Sequence, residues 1–188
     1  MNAWHCCVSA VLLACACACT AVPAAAAPAP VEAFDRIHPS EFEDMLRDAR
    51  LAYGKQDHAR AFPLFERLAC AGDKSSQSAL GRMYLLGQGT TQDDLSGYAW
   101  LKLAAEEIFP GYQRIVKQLE SAMDASQLAI AREGAARLAD LYDIGATRIS
   151  CRKNASRKGH IVDELVCTPY RDGSYYLLRR CEGAAPAS

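Results

Sequence analysis

The sequence predicts an all-α repeat fold, an α/α superhelix of stacked helix pairs, finished by a small C-terminal β flap. Three observations carry that prediction. Apolar residues recur at helical spacing through residues 40–144. Inside that stretch the sequence repeats itself at a spacing of 36, the length of one helix pair. After Gly145 the helical period stops, and short β-branched and aromatic runs replace it.

The first segment reads as a leader. Residues 8–18 are apolar apart from Ser9, and residues 24–27 supply the small side chains that signal peptidases prefer. The apolar part is too short to span a bilayer, so residues 1–26 are expected to be a signal peptide cut after Ala26. The segment ahead of the apolar run lacks the usual Lys or Arg. An alternative is a lipobox at Leu12, Leu13, Ala14 and Cys15, with Cys15 acylated and a membrane-anchored lipoprotein as the result. Residues 27–39 are expected to be a linker, and no later segment has the length and apolarity to cross a membrane.

Six helices follow. Ser40 and Glu43 have capping-box spacing, and Phe42, Met45, Leu46, Ala49, Ala52 and Tyr53 line one face up to Gly54. The second is expected to open after Asp57 and close at Gly72, with Pro63 kinking it or delaying its start. The third covers residues 75–86, and Gly87, Gln88 and Gly89 turn the chain. The fourth covers residues 94–107, the fifth opens at Pro110, and the sixth runs from Asp124 toward Tyr142. The repeat is visible in register: Leu64 and Phe65 fall on Trp100 and Leu101, Leu68 and Ala69 on Ala104 and Ala105. Gln77, Leu80 and Met83 fall on Gln113, Val116 and Leu119. A helix pair cannot bury its apolar stripe alone, so pairs of this kind stack.

The run Ala79-Leu80-Gly81-Arg82-Met83-Tyr84-Leu85-Leu86-Gly87-Gln88-Gly89 resembles the first helix and turn of a Sel1-like repeat, a relative of the tetratricopeptide repeat. Tyr98-Ala99-Trp100-Leu101-Lys102-Leu103-Ala104-Ala105 resembles the second helix of bacterial members. The resemblance implies packing roles for Leu80, Gly81, Tyr84, Gly87, Gly89, Trp100, Ala104 and Ala105, with Gly81 admitting close helix approach. It is specific over residues 60–108 and places the repeat domain at residues 40–146. Gly97 departs from the usual Ala, at about 1 kcal/mol of helix propensity, and Ile108 replaces the glycine that usually ends a repeat.

Beyond the repeats, residues 147–151, 161–167 and 174–178 read as strands of a hairpin or three-stranded flap, with turns at 154–160 and 169–173. The appendage is expected at residues 147–181, with a disordered tail over residues 182–188. Cys70, Cys151, Cys167 and Cys181 lie outside the leader. An even number in an exported chain points to disulfides, and four cysteines allow three connectivities. Pairing of the first two strands favours Cys151 with Cys167, which leaves Cys70 with Cys181 to tie the flap to the second helix. Such a flap is expected to loosen without its bridge while the helices keep their own core.

The net charge of −1 conceals an asymmetry. Residues 32–146 hold 18 acidic and 13 basic side chains, a net of −5, and residues 147–181 hold 3 and 8, a net of +5. No motif or aromatic platform for nucleic acid accompanies the basic segment. Cys151, Cys167, Cys181 and His160 have the wrong spacing for structural zinc, and the sequence has no nucleophile elbow, metalloprotease helix or phosphate loop. His38 and His58 read as solvated, as does the Glu106–Glu107 pair. The expectation is therefore a binding module and not an enzyme, with no catalytic residues, metal or cofactor. It is a periplasmic or secreted scaffold for a protein or peptide partner. The alternative is an envelope-binding module whose basic flap sits on anionic lipid or polymer.

Overall fold

The computed structural model describes residues 34–106, 110–155, 161–169, 175–179 and 181, all within a compact unit spanning Glu32–Ser188. The expected signal peptide, Cys15 and the tail at residues 182–188 lie outside the described residues.

The first element is a strand, β1 (Phe34–Ile37), and then α1 (Pro39–Gly54) begins. The helix starts earlier than the Ser40–Glu43 capping box implied. Pro39 occupies its first turn, where its missing N–H costs nothing. The His38 imidazole takes the capping role, accepting from the Ser40 N–H at 3.3 Å. Phe42, Met45, Ala49 and Ala52 face inward, the stripe seen in the sequence. Asp57 caps α2 (His58–Cys70) by accepting from the Arg60 N–H. Pro63 neither delays nor ends this helix. The proline and Ala59, the residue four back whose carbonyl loses its partner, are both exposed, so water can serve that carbonyl.

Asp73 caps α3 (Lys74–Leu86) and Asp93 caps α4 (Asp94–Ala104). Asp93 accepts from the N–H groups of Leu95 and Ser96. The fifth helix, α5 (Pro110–Ala122), starts at its proline. Asp124 and Gln127 form a full capping box for α6 (Ala125–Tyr142), at 2.8 and 3.1 Å. A further turn, α7 (Ile144–Thr147), leads into the strands β2 (Ile149–Ala155), β3 (Ile161–Pro169) and β4 (Tyr176–Arg179). No helix among the described residues is long and apolar enough to cross a membrane.

The expected C-terminal hairpin is present as β2–β3, but the third expected strand does not join it. The strands form two separate two-stranded antiparallel sheets, β2 with β3 and β1 with β4. Ile37 faces Tyr176 and Phe34 faces Arg179, so part of the expected linker is a strand. Four residues are too few to show a period, and the partner lies at the other end of the chain. Nor is the β region a detachable flap. Ile37, Ile149, Cys167, Tyr176 and Leu178 are buried in one core with Phe42, Met45, Ala61, Phe65 and Leu68. The Phe42 and Tyr176 rings stack at 3.8 Å, and the Tyr176 hydroxyl donates to the Cys167 carbonyl. A second core lies between α4, α5 and α6, where Trp100 stacks on Tyr142 at 5.6 Å.

Candidate binding groove

The repeat residues set how closely the helices approach. Gly81 of α3 and Gly97 of α4 face each other at the crossing of their helices. A methyl group on Gly81 would lie 2.8 Å from the Gly97 carbonyl oxygen, and one on Gly97 would lie 2.6 Å from Leu85. Gly97, read from sequence as a weak helix residue, leaves room here for the Leu85 side chain and the Gly81 carbonyl, which an added methyl would press at 2.6 and 3.0 Å. At Gly89 (φ +75) a side chain would collide with the His58 carbonyl. Gly87 ends α3 in the left-handed region. Leu80 and Ala104 are fully buried, Trp100 nearly so, and Ala105 partly. Tyr84 meets Phe62 edge to face at 5.3 Å. His58 is not simply solvated: its ring packs against Tyr53 at 5.2 Å.

A buried cation joins the two repeats. Lys74, at the first position of α3, is fully buried. Its Nζ donates to Gln77 Oε1 (3.0 Å), to the Leu103 carbonyl (3.3 Å) and to Glu106 Oε2 (2.7 Å). Gln77 in turn donates to the carbonyls of Ala69 and Tyr142, both at 3.0 Å. One charge and one amide thus satisfy groups from the ends of α2, α4 and α6. Glu106 is exposed, as its sequence position suggested, but its carboxylate also pairs with buried Lys74. Gln113, the 36-residue echo of Gln77, is exposed, so the third pair does not reproduce this junction.

Two hollows of 540 Å³ and 350 Å³ lie side by side over the end of α4, both bordered by Lys102, Glu106 and Glu120. Leu103 of α4 and Ala135, Ala136 and Ala139 of α6 form the apolar lining of the larger one. Ala105 and Val116 line the smaller. The small side chains along α6 are what leave the space open. Glu120 anchors the rim. The Tyr98 hydroxyl donates to its Oε1 at 2.7 Å, and Lys102 and Arg132 approach the same oxygen at 3.4 and 3.7 Å. The Tyr98 hydrogen bond, with help from the two cations, holds the Glu120 carboxyl below the usual carboxylate range. Burial and the bond to Glu120 push the Tyr98 phenol up to about 12. The groove is therefore an apolar floor with a charged, hydrogen-bonded rim, suited to holding a ligand more than to transforming one. Its residues carry no motif that sequence reading could have singled out, since α4, α5 and α6 each supply only part of it.

Cys151 is disulfide-bonded to Cys167, with Cα atoms 4.0 Å apart, and Cys70 to Cys181, with Cα atoms 5.7 Å apart. Cys151 and Cys167 are direct partners in the β2–β3 register. Sulfurs bonded in this way are not available as zinc thiolates; His160 lies outside the described residues. Among those residues no cluster of His, Cys, Asp and Glu could hold a metal ion.

Paired helices, glycine-tight crossings and a groove at the end of the stack define a class, the α/α helical-repeat proteins. Within it, residues 47–73 and 74–107 match the Sel1 repeat family, the second match containing the whole of α3 and α4. Two Sel1 repeats thus lie over residues 47–107 of the chain. A similar solved structure is that of a protective antigen present in uropathogenic Escherichia coli strains, which displays an SLR fold. It is 22% identical, with a TM-score of 0.52, over 56% of this chain and 24% of that one, so this chain spans about a quarter of that antigen's length. At that identity the likeness shows the fold alone. No curated protein matches the sequence. Sel1 repeats are in general protein–protein interaction scaffolds, and two disulfides fit an oxidising, extracytoplasmic compartment.

Proposed function

We propose that this chain is an exported scaffold of the cell envelope whose groove over α4 holds a segment of another protein. The observation that carries the reading is the groove itself: an open, alanine-lined hollow of 540 Å³ at the end of a helix stack built from binding repeats. Its shape and lining match what an extended or helical segment needs to bury small apolar side chains against a preformed surface. The leader pattern of residues 1–26 and the two disulfides support export. Within the envelope the chain acts as an adaptor and carries no chemistry of its own.

Photo-crosslinking tests the reading directly. A benzophenone side chain placed at Ala136, on the exposed rim, is expected to capture a specific protein. The same group at Arg47, on the outer face of α1, should not. A second reading rests on the net charge of +5 over residues 147–181 and on Arg148 and Arg152, both exposed: the β2–β3 hairpin binds anionic lipid or polymer. Capture at Arg152 with none at Ala136 would favour that reading and overturn the groove. Mass spectrometry of the mature N-terminus separates its three forms, a free Ala27, an acylated Cys15 and a retained Met1. A retained leader would contradict export.

A further inference from the structure

We propose that the groove selects an acidic segment, one carrying a carboxylate beside small apolar side chains, and receives that carboxylate between Lys102 and Arg132. The proposal rests on the groove reading and adds the chemistry of the partner. Its basis is how the rim's charges are committed. Glu106 is tied to buried Lys74 at 2.7 Å, and Asp143 caps α7 through the Ala146 N–H at 2.6 Å. Glu106 is thereby balanced by Lys74, and Asp143 keeps its charge but has Oδ1 committed to the cap. Glu120 is left to serve both Lys102 and Arg132, at 3.4 and 3.7 Å. Both cations reach the same oxygen, already engaged by Tyr98. Their side chains are about half exposed, and Lys117 stands exposed on the α5 wall.

Two half-exposed cations thus share one Glu120 oxygen beside an apolar floor. A second carboxylate entering between Lys102 and Arg132 would find donors already in place, at little ordering cost. Charge-assisted bonds over an alanine floor, partly shielded from water, are stronger than the same bonds at a flat surface. A cationic segment would meet repulsion from Lys102 and Arg132 at the point of entry and bind less tightly. The charge asymmetry read along the sequence does not reveal this site, because it lies within the acidic half of the chain.

The test uses the full oxidised chain and three fluorescein-labelled peptides sharing one Ala/Leu scaffold, with Glu, Gln or Lys at the polar positions. Fluorescence anisotropy should show the Glu peptide binding about tenfold more tightly than the Gln peptide, and the Lys peptide binding least. The advantage should shrink as salt rises. Lys102→Gln with Arg132→Gln should reduce the Glu peptide to the Gln level while the melting curve confirms the fold. Ala136→Trp, which fills the groove from an exposed position, should weaken Glu and Gln peptides alike. Equal binding of Glu and Gln peptides, both lost in Ala136→Trp, would overturn the acid preference and leave the groove standing. Binding indifferent to Ala136→Trp, or no binding by any peptide, would overturn the groove reading and the acid preference with it.

Discussion

Several residues that set the junctions between helices are polar or glycine, although the cores around them are apolar. Lys74 is the clearest case. A buried lysine costs several kcal/mol of desolvation unless its charge and donors are all met, and here three acceptors meet them. Lys74→Ala leaves Gln77 and Glu106 without their donor and is expected to destabilise the fold by about 2–4 kcal/mol, below the value for a fully buried pair because Glu106 is partly exposed. Thermal melts of wild type and variant check this, and an unchanged midpoint would show that the junction does not depend on the ion pair. Glu120 links stability to pH. Its folded pKa lies below the ordinary 4.5, so its contribution is present in full above that value and is lost as pH falls through the depressed one. Wild type should therefore be more stable than Glu120→Gln at neutral pH, and the difference should narrow as the pH falls below 4.5. A gap that does not narrow at all below pH 4.5 would mean that packing, not ionisation, accounts for the effect.

At the scale of elements, legibility followed period. Helices with three or more turns and an Asp cap could be read from the chain, and α2, α3, α4 and α6 each open on the Asp that precedes them. Gly81 was legible as a point of close approach. Gly97 read as a defect, because its reason lies on the neighbouring helix. The strand β1 was hidden because its partner β4 lies far away in sequence, and local pattern carries no information about such pairing. That pairing changes what the disulfides do. With Ile37, Tyr176 and Leu178 buried beside α1 and α2, Cys181 fastens the sheet-bearing chain end to Cys70 of α2 across 111 residues of sequence. The Cys151–Cys167 loop spans only 16. Loop-closure entropy gives about 3 kcal/mol for a loop near 15 residues and about 4.7 for one near 100. The double substitution Cys70→Ala with Cys181→Ala should lower the melting temperature more than Cys151→Ala with Cys167→Ala. Calorimetry of both, each with its remaining disulfide intact, decides the order. The reverse order would show that the hairpin, and not the tether to α2, limits stability.

Taken whole, the molecule is a short repeat stack with two differently finished ends. The α1–α2 end is closed by strands drawn from both ends of the described chain, and its core is continuous with theirs. The α5–α6 end has its own core around Trp100 and Tyr142, and the groove opens there. A sequence repeat predicts stacking but not where stacking becomes irregular. The family match stops at residue 107, and the groove is made where the helices after it no longer repeat the earlier junction. This is why the fold was readable in the residues and the site was not. The central claim is that partners bind over the end of α4. Amide NMR spectra of the isotopically labelled, oxidised chain, recorded while the acidic Ala/Leu peptide is titrated in, test it most directly. Shift changes should concentrate at Lys102, Leu103, Glu120, Arg132, Ala136 and Ala139. Changes confined to Arg148, Arg152 and the β2–β3 hairpin, or to Arg47 and Leu51 on the outer face of α1, would contradict it.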